Sequence, residues 1–149
     1  MSDEVSYVTR GAQLKCSLGS HIRRLNIDKD HGWIIEHEKE DYKHPIAIES
    51  DCVENKNVFP FGVCKSASPI ITNNSKITLI TYDENGKENG TVEGHPCLIE
   101  LISKEWIDTK KDVYLKENVV TTNSCLVCMH SGIIEVVSSG LEYEGELDK

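Results

Sequence analysis

A chain of 149 residues, 38% hydrophobic and 6% aromatic, suits one domain with a modest core, able to bury roughly 70% of the surface its unfolded form exposes. A formal net charge of −9 and a pI near 5.1 exclude a nucleic-acid-binding surface, which needs clustered Lys and Arg to displace counterions from phosphate. No apolar run is long enough for a membrane span, and the acidic start Met1-Ser2-Asp3-Glu4 lacks the pattern of a signal peptide, so the expectation is a cytoplasmic chain without stable membrane insertion.

Short alternating runs and frequent turns predict an all-β domain with its core in residues 7–137 and an acidic, flexible tail over 138–149. Residues 5–9 alternate and end at Arg10-Gly11, and residues 22–27 read as the next strand. The polar stretch from Asp28 to Gly32 is a turn before a strand that begins at Trp33. Residues 36–43 are almost all charged and suit a solvated loop or a short exposed helix. Residues 45–48 read as a strand, and residues 57–69, with two prolines and a glycine among apolar side chains, read as an ordered, partly buried loop.

Residues 77–82 are β-branched and alternating, and Asp83-Glu84-Asn85-Gly86 follows them, which predicts a hairpin returning through Thr91-Val92. Residues 97–106 fit either a short helix or a strand. Residues 113–115 and 119–121 form the arms of a second hairpin, and residues 133–137 are the last strand.

Two stretches of this chain resemble each other. Gln13-Leu14-Lys15-Cys16-Ser17-Leu18-Gly19 and Ser124-Cys125-Leu126-Val127-Cys128-Met129-His130-Ser131-Gly132 both place a leucine two residues before a cysteine and a glycine shortly after it. Each then leads into an apolar alternating run. If the two turns meet, a metal or a disulfide could clip the ends of the domain together.

Five of the six cysteines, Cys16, Cys52, Cys64, Cys97 and Cys128, stand in or beside turns where one strand ends and another begins. In a reducing cytosol such thiols favour metal chemistry over a disulfide framework. Four thiolates converging from turns make a closed, structural zinc site with Zn–S distances of about 2.3 Å; buried apolar thiols are the alternative. Cys125-x-x-Cys128 also permits a redox dithiol, but the pair runs into a β-branched strand where a thioredoxin-like thiol wants a helix N-terminus. Among the histidines, His31 and His130 are ligand candidates against the plainer reading of turn or surface residues. His37 and His44 fall in the charged stretch and read as solvated, and His21 and His95 read as turn residues.

The ordered cysteines and their flanks carry a resemblance. The series Val8-Thr9-Arg10-Gly11-Ala12-x-Leu14-x-Cys16-Ser17-x-Gly19, Pro45-x-Ala47, Asp51-Cys52, Asn57-Val58-x-Pro60-Phe61-Gly62-x-Cys64-x-Ser66, Pro96-Cys97, Trp106 and Ser124-x-Leu126-x-Cys128-x-x-x-Gly132-x-Ile134 is similar to the PAAR-like family. That resemblance implies a small all-β cone of short strands in an approximate three-fold arrangement, with a zinc-stabilised apex. It implies a tip that caps the trimeric, VgrG-like spike of a contractile injection machine, such as a type VI secretion system, and delivers effector or toxin proteins.

On that resemblance the protein assembles in the cytoplasm, leaves at the tip of the machine and is not an enzyme. The zinc ligands it implies are Cys16, Cys52, Cys64 and Cys128, with Cys97 in reserve. Cys52 stands where such relatives carry histidine, Cys125 matches no family cysteine, and residues 36–43 and 75–94 depart from the family pattern. A thiol enzyme built on Cys125 and Cys128, and an effector-carrying adaptor without a contractile machine, are the alternatives.

Overall fold

The computed structural model describes residues 6–36 and 43–141. Its strands are β1 (Gln13–Cys16), β2 (Arg23–Arg24), β3 (Ile34–Glu36), β4 (Lys43–Pro45), β5 (Val63–Cys64), β6 (Ile77–Tyr82), β7 (Glu88–Pro96), β8 (Lys110–Leu115), β9 (Glu117–Val119), β10 (Cys125–Val127) and β11 (Ile133–Val136), and one short helix, α1 (Pro69–Thr72), interrupts them. The protein is all-β in the form of several small sheets. Their orders are β10-β11-β1-β2, β3-β4, β5-β7-β6 and β8-β9.

The four-stranded sheet joins the two ends of the described chain. β1 pairs antiparallel with β11 in the register Leu14↔Val136 and Cys16↔Ile134, and β10 pairs with β11 through Leu126↔Ile134. Side chains two apart in a strand share a face, so the leucine-x-cysteine repeat puts Leu14 and Cys16, and again Leu126 and Cys128, on the inner side. Leu14, Leu126 and Ile134 are fully buried there and pack with Leu25, Phe61 and Trp106 in the main core. A smaller cluster of Ile46, Ile48 and Val119 forms beside it.

The first predicted hairpin forms, and the second forms with a shifted return arm, β9 covering Glu117–Val119 while Val120 and Thr121 pair with Val8, Ala47 and Tyr7. β6 and β7 close through Asp83, whose carboxylate accepts the backbone N–H groups of Asn85 and Lys87 at 2.9 and 3.0 Å, while Gly86 takes a φ of 80°. β8 and β9 turn at Lys116, which carries the left-handed φ of 68° itself.

Other expectations change. Of the predicted strand 5–9, Val5 lies outside the described residues and Tyr7 and Thr9 make isolated bridges, while residues 22–27 shrink to the pair in β2, after which the Leu25 N–H returns to the Ala12 carbonyl at 2.8 Å. Residues 97–106 form neither a helix nor a strand; within them Leu101 bridges singly to Cys128, and Ile107 just beyond them bridges to Cys125. The helix α1 was not foreseen; Pro69 opens it where its missing N–H costs nothing. His44 is 2% exposed, not solvated, because it lies in β4 next to the core-forming run that follows.

The tail begins later than residue 138. The Ser139 carbonyl accepts both the Thr9 N–H (2.8 Å) and the Thr9 hydroxyl (3.0 Å), and Gly140 is buried against Thr9 and Ala12. The charged stretch within residues 36–43, apart from its ends in β3 and β4, lies outside the described residues, as does His37.

Candidate metal centre

Strand ends decide where the thiols go. Cys16 ends β1, Cys64 ends β5, Cys97 directly follows β7 and Cys128 directly follows β10. Pairings between these elements bring the four ends together. Gly19 bridges to Cys64, the Lys65 N–H reaches the Leu18 carbonyl (2.8 Å), the Cys97 N–H reaches the Gly62 carbonyl (2.8 Å), and the Cys128 N–H closes on the Gly132 carbonyl (2.8 Å). Cys16, Cys64, Cys97 and Cys128 all line one cavity of about 10 Å³, enclosed by apolar neighbours that include Leu18, Phe61, Leu98, Ile99 and Ile134. That is room for a single water-sized guest and far too little for an organic substrate.

The glycines of the repeat make the space. A Cβ on Gly132 would stand 2.5 Å from the Cys16 Sγ, and one on Gly19 would stand 2.5 Å from the Phe61 Cβ and 3.3 Å from the Cys16 Cβ. The Ser66 N–H donates to the Cys64 sulfur at 3.5 Å, and the nearby backbone of Leu18 and Gly19 at Cys16, and of Phe61 at Cys97, favours the thiolate form.

Electrostatics disfavours ionisation of two of these thiols, Cys16 and Cys97. Burial pushes the Cys16 thiol up, and the nearness of Cys128 and Cys64 adds to the rise, against the opposing N–H groups. Burial raises Cys97 to about 11, with Cys64, Cys16 and Cys128 contributing in the same direction. Protonated thiols are poor nucleophiles. A soft divalent cation would reverse this, because it displaces the protons and neutralises the crowded thiolates.

Thiols are the donor type a soft metal ion takes, and the space they line is of atomic size. Among the described residues, however, the side chains as they stand form no group of three or more His, Cys, Asp or Glu that converges to hold one.

Cys52 lies elsewhere. It is buried beside Glu54, Asp51, Glu105 and Glu117, its thiol stands 3.7 Å from the Glu49 carbonyl, and burial first and these carboxylates second push it up to about 12. Its neighbour Asp51 accepts the Ile48 N–H (2.9 Å) and bonds His31 Nε2 (2.8 Å), while the Asp51 carbonyl accepts Trp106 Nε1–H (2.9 Å). His31 thus belongs to this structural node and not to the thiol cavity. The structure brings Cys97, the reserve candidate, to the cavity and leaves Cys52 out, because position in the chain does not tell which turns share an end of the fold.

Cys125 does not line the cavity. Three positions along an extended strand reverse the side-chain direction, and the burial of Cys125 to Cys128 alternates accordingly, with Leu126 and Cys128 inside. Burial and the carboxylates of Asp108 and Glu135 raise the Cys125 thiol, the opposite of what an attacking thiol needs.

His130 does line the cavity and is 3% exposed. Its Nδ1 lies 3.3 Å from the Ser68 hydroxyl, and its Nε2 has no hydrogen-bond partner, the Glu100 carboxylate standing 3.7 Å away.

A family model described as a domain of unknown function, DUF4280, matches residues 8–140. The chain belongs to the DUF4280 family. The match spans the strands from β1 to β11 and reaches the Gly140 packed against Thr9, so the thiol cavity and the clip between the chain ends are both parts of a DUF4280 domain. No curated protein and no solved structure matches the chain. No helix among the described residues of this DUF4280 chain is long and apolar enough to cross a membrane.

A second cleft of about 380 Å³ lies between the β1–β2 region and the end of β6, lined by Gln13, His21, Arg24, Tyr82, Asp83 and Glu84 among others. His21 braces it by bonding the Ile80 carbonyl through Nε2 at 2.7 Å. No cysteine lines it.

Proposed function

We propose that this DUF4280 chain is a PAAR-like spike tip, a non-enzymatic cap on the trimeric, VgrG-like spike of a contractile injection machine. In this reading its small sheets taper as a cone with approximate three-fold arrangement, and the thiol cavity marks the apex, where zinc is held by Cys16, Cys64 and Cys128 with a fourth donor from the same cavity. Effector or toxin proteins are the cargo that such a tip delivers, and it assembles in the cytoplasm before export.

The observation that carries the reading is the gathering of four turn thiols at one atom-sized cavity, together with the ordered cysteine pattern shared with PAAR-like proteins. The physical need is mechanical. A core this modest gains most from a metal clip between distant segments, which adds stability without bulk. Zinc here would serve structure, since a site closed by four protein ligands leaves no open position for chemistry.

Two measurements test the proposal. Elemental analysis of the purified protein should find zinc in equimolar amount, and a metal-free protein that is equally stable would remove the metal half. Mixing with a purified trimeric spike should give a complex of one tip per trimer, and failure to associate with the spike of a machine encoded beside it would remove the other half.

A further inference from the structure

We infer that His130 is a ligand of the metal at the thiol cavity, supplying Nε2 beside three of the gathered thiols. The inference rests on the metal reading above and goes beyond its cysteine set. His130 is two residues from Cys128 in the same turn, is 3% exposed and lines the cavity. A buried imidazole nitrogen left without a hydrogen-bond partner is costly, and Nε2 is such an atom.

The rest of the ring is already held. Nδ1 meets the Ser68 hydroxyl at 3.3 Å, and the Ser68 N–H donates to the Ser66 hydroxyl (3.1 Å), while the Ser66 N–H donates to the Cys64 sulfur (3.5 Å). One short segment thus orients both a thiol and the imidazole, as outer-shell partners of metal-bound histidine do. The Glu100 carboxylate, 3.7 Å from Nε2 and about half exposed, is beyond hydrogen-bond reach and pairs with the ring only where the imidazole carries a second proton.

Charge favours the mixed set. Four thiolates around a divalent cation leave two net negative charges in an apolar cavity, whereas three thiolates and a neutral imidazole leave one, and buried uncompensated charge is costly.

Cobalt(II) loaded in place of zinc reads the ligand set directly, because imidazole splits the d orbitals more than thiolate does. The wild-type protein should show d–d bands at shorter wavelength than an all-thiolate site. His130→Cys should move them to longer wavelength, and His130→Ala should weaken cobalt binding at least about tenfold. A wild-type spectrum of four thiolates, unchanged in His130→Ala, overturns the role of His130 while leaving the metal reading intact. A wild-type protein that binds neither cobalt nor zinc overturns both. The wild-type spectrum decides the matter even if a variant fails to fold.

Discussion

Gly132 faces the Cys16 sulfur so closely that a Cβ at position 132 would stand 2.5 Å from the Cys16 Sγ. These residues come from opposite ends of the described chain, held together by the pairing of β1 with β11. The closing glycine of one leucine-cysteine-glycine stretch therefore makes room for the thiol of the other.

Gly132→Ala should for that reason be destabilising although its backbone conformation tolerates any residue. Overpacking of this kind costs about 1–3 kcal/mol, and the cost should appear as a lower Tm in thermal unfolding. Gly19→Ala should behave alike, because its Cβ meets the Phe61 Cβ at 2.5 Å. A Tm unchanged by either substitution would show that the cavity is looser than the packing indicates.

Serine substitutions separate the cysteines by place. Cys16→Ser and Cys128→Ser should remove bound zinc and lower Tm, whereas Cys52→Ser, outside the cavity, should leave zinc content at the wild-type level. Zinc loss in Cys52→Ser would contradict the assignment of the centre to the cavity.

Thiol labelling gives an independent readout. Cys125 should be modified first in the zinc-loaded protein, since it lies outside the cavity and no metal would protect it, and the cavity thiols should react only after chelation. Equal early reaction of Cys125 and Cys128 would favour a dithiol over a metal clip.

Cys52 also makes the metal-free protein sensitive to high pH. Its thiol titrates at 9.0 when unfolded and is pushed to about 12 by burial when folded. Between those values the folded state binds the proton that the unfolded state has released, so stability falls as pH rises. The contribution is fully present below pH 9.0. Cys52→Ala should show a shallower loss of urea stability than wild type over that window, and an equal slope in both proteins would reject this origin.

Trp106→Phe removes the indole N–H that reaches the Asp51 carbonyl at 2.9 Å in a site 2% exposed. Leaving that carbonyl short of a donor should cost about 1–3 kcal/mol, or several degrees in Tm for a domain of this size.

The elements legible in the sequence were those whose signals are local. The alternation of Ile77 to Tyr82 before Asn85-Gly86 specified a hairpin, and the leucine-x-cysteine spacing specified one buried face for Leu14 with Cys16 and for Leu126 with Cys128. The short helix at Pro69 and the burial of His44 were not legible, because each depends on what packs against it. The anchoring of Ser139 and Gly140 was hidden for the same reason, their partner Thr9 being at the other end of the chain.

By itself, then, the sequence determined the all-β class, the hairpin of residues 77–92, the turn setting of the thiols and the kinship of its two leucine-cysteine-glycine stretches, since all of these follow from periodicity and turn chemistry within a few residues. Only the tertiary structure decided that Cys97 and His130 stand at the cavity with Cys16, Cys64 and Cys128, and that Cys52 does not. Which strand ends meet is settled by the pairing of β1 with β11 and of β5 with β7, contacts between residues far apart in the chain that no short stretch encodes.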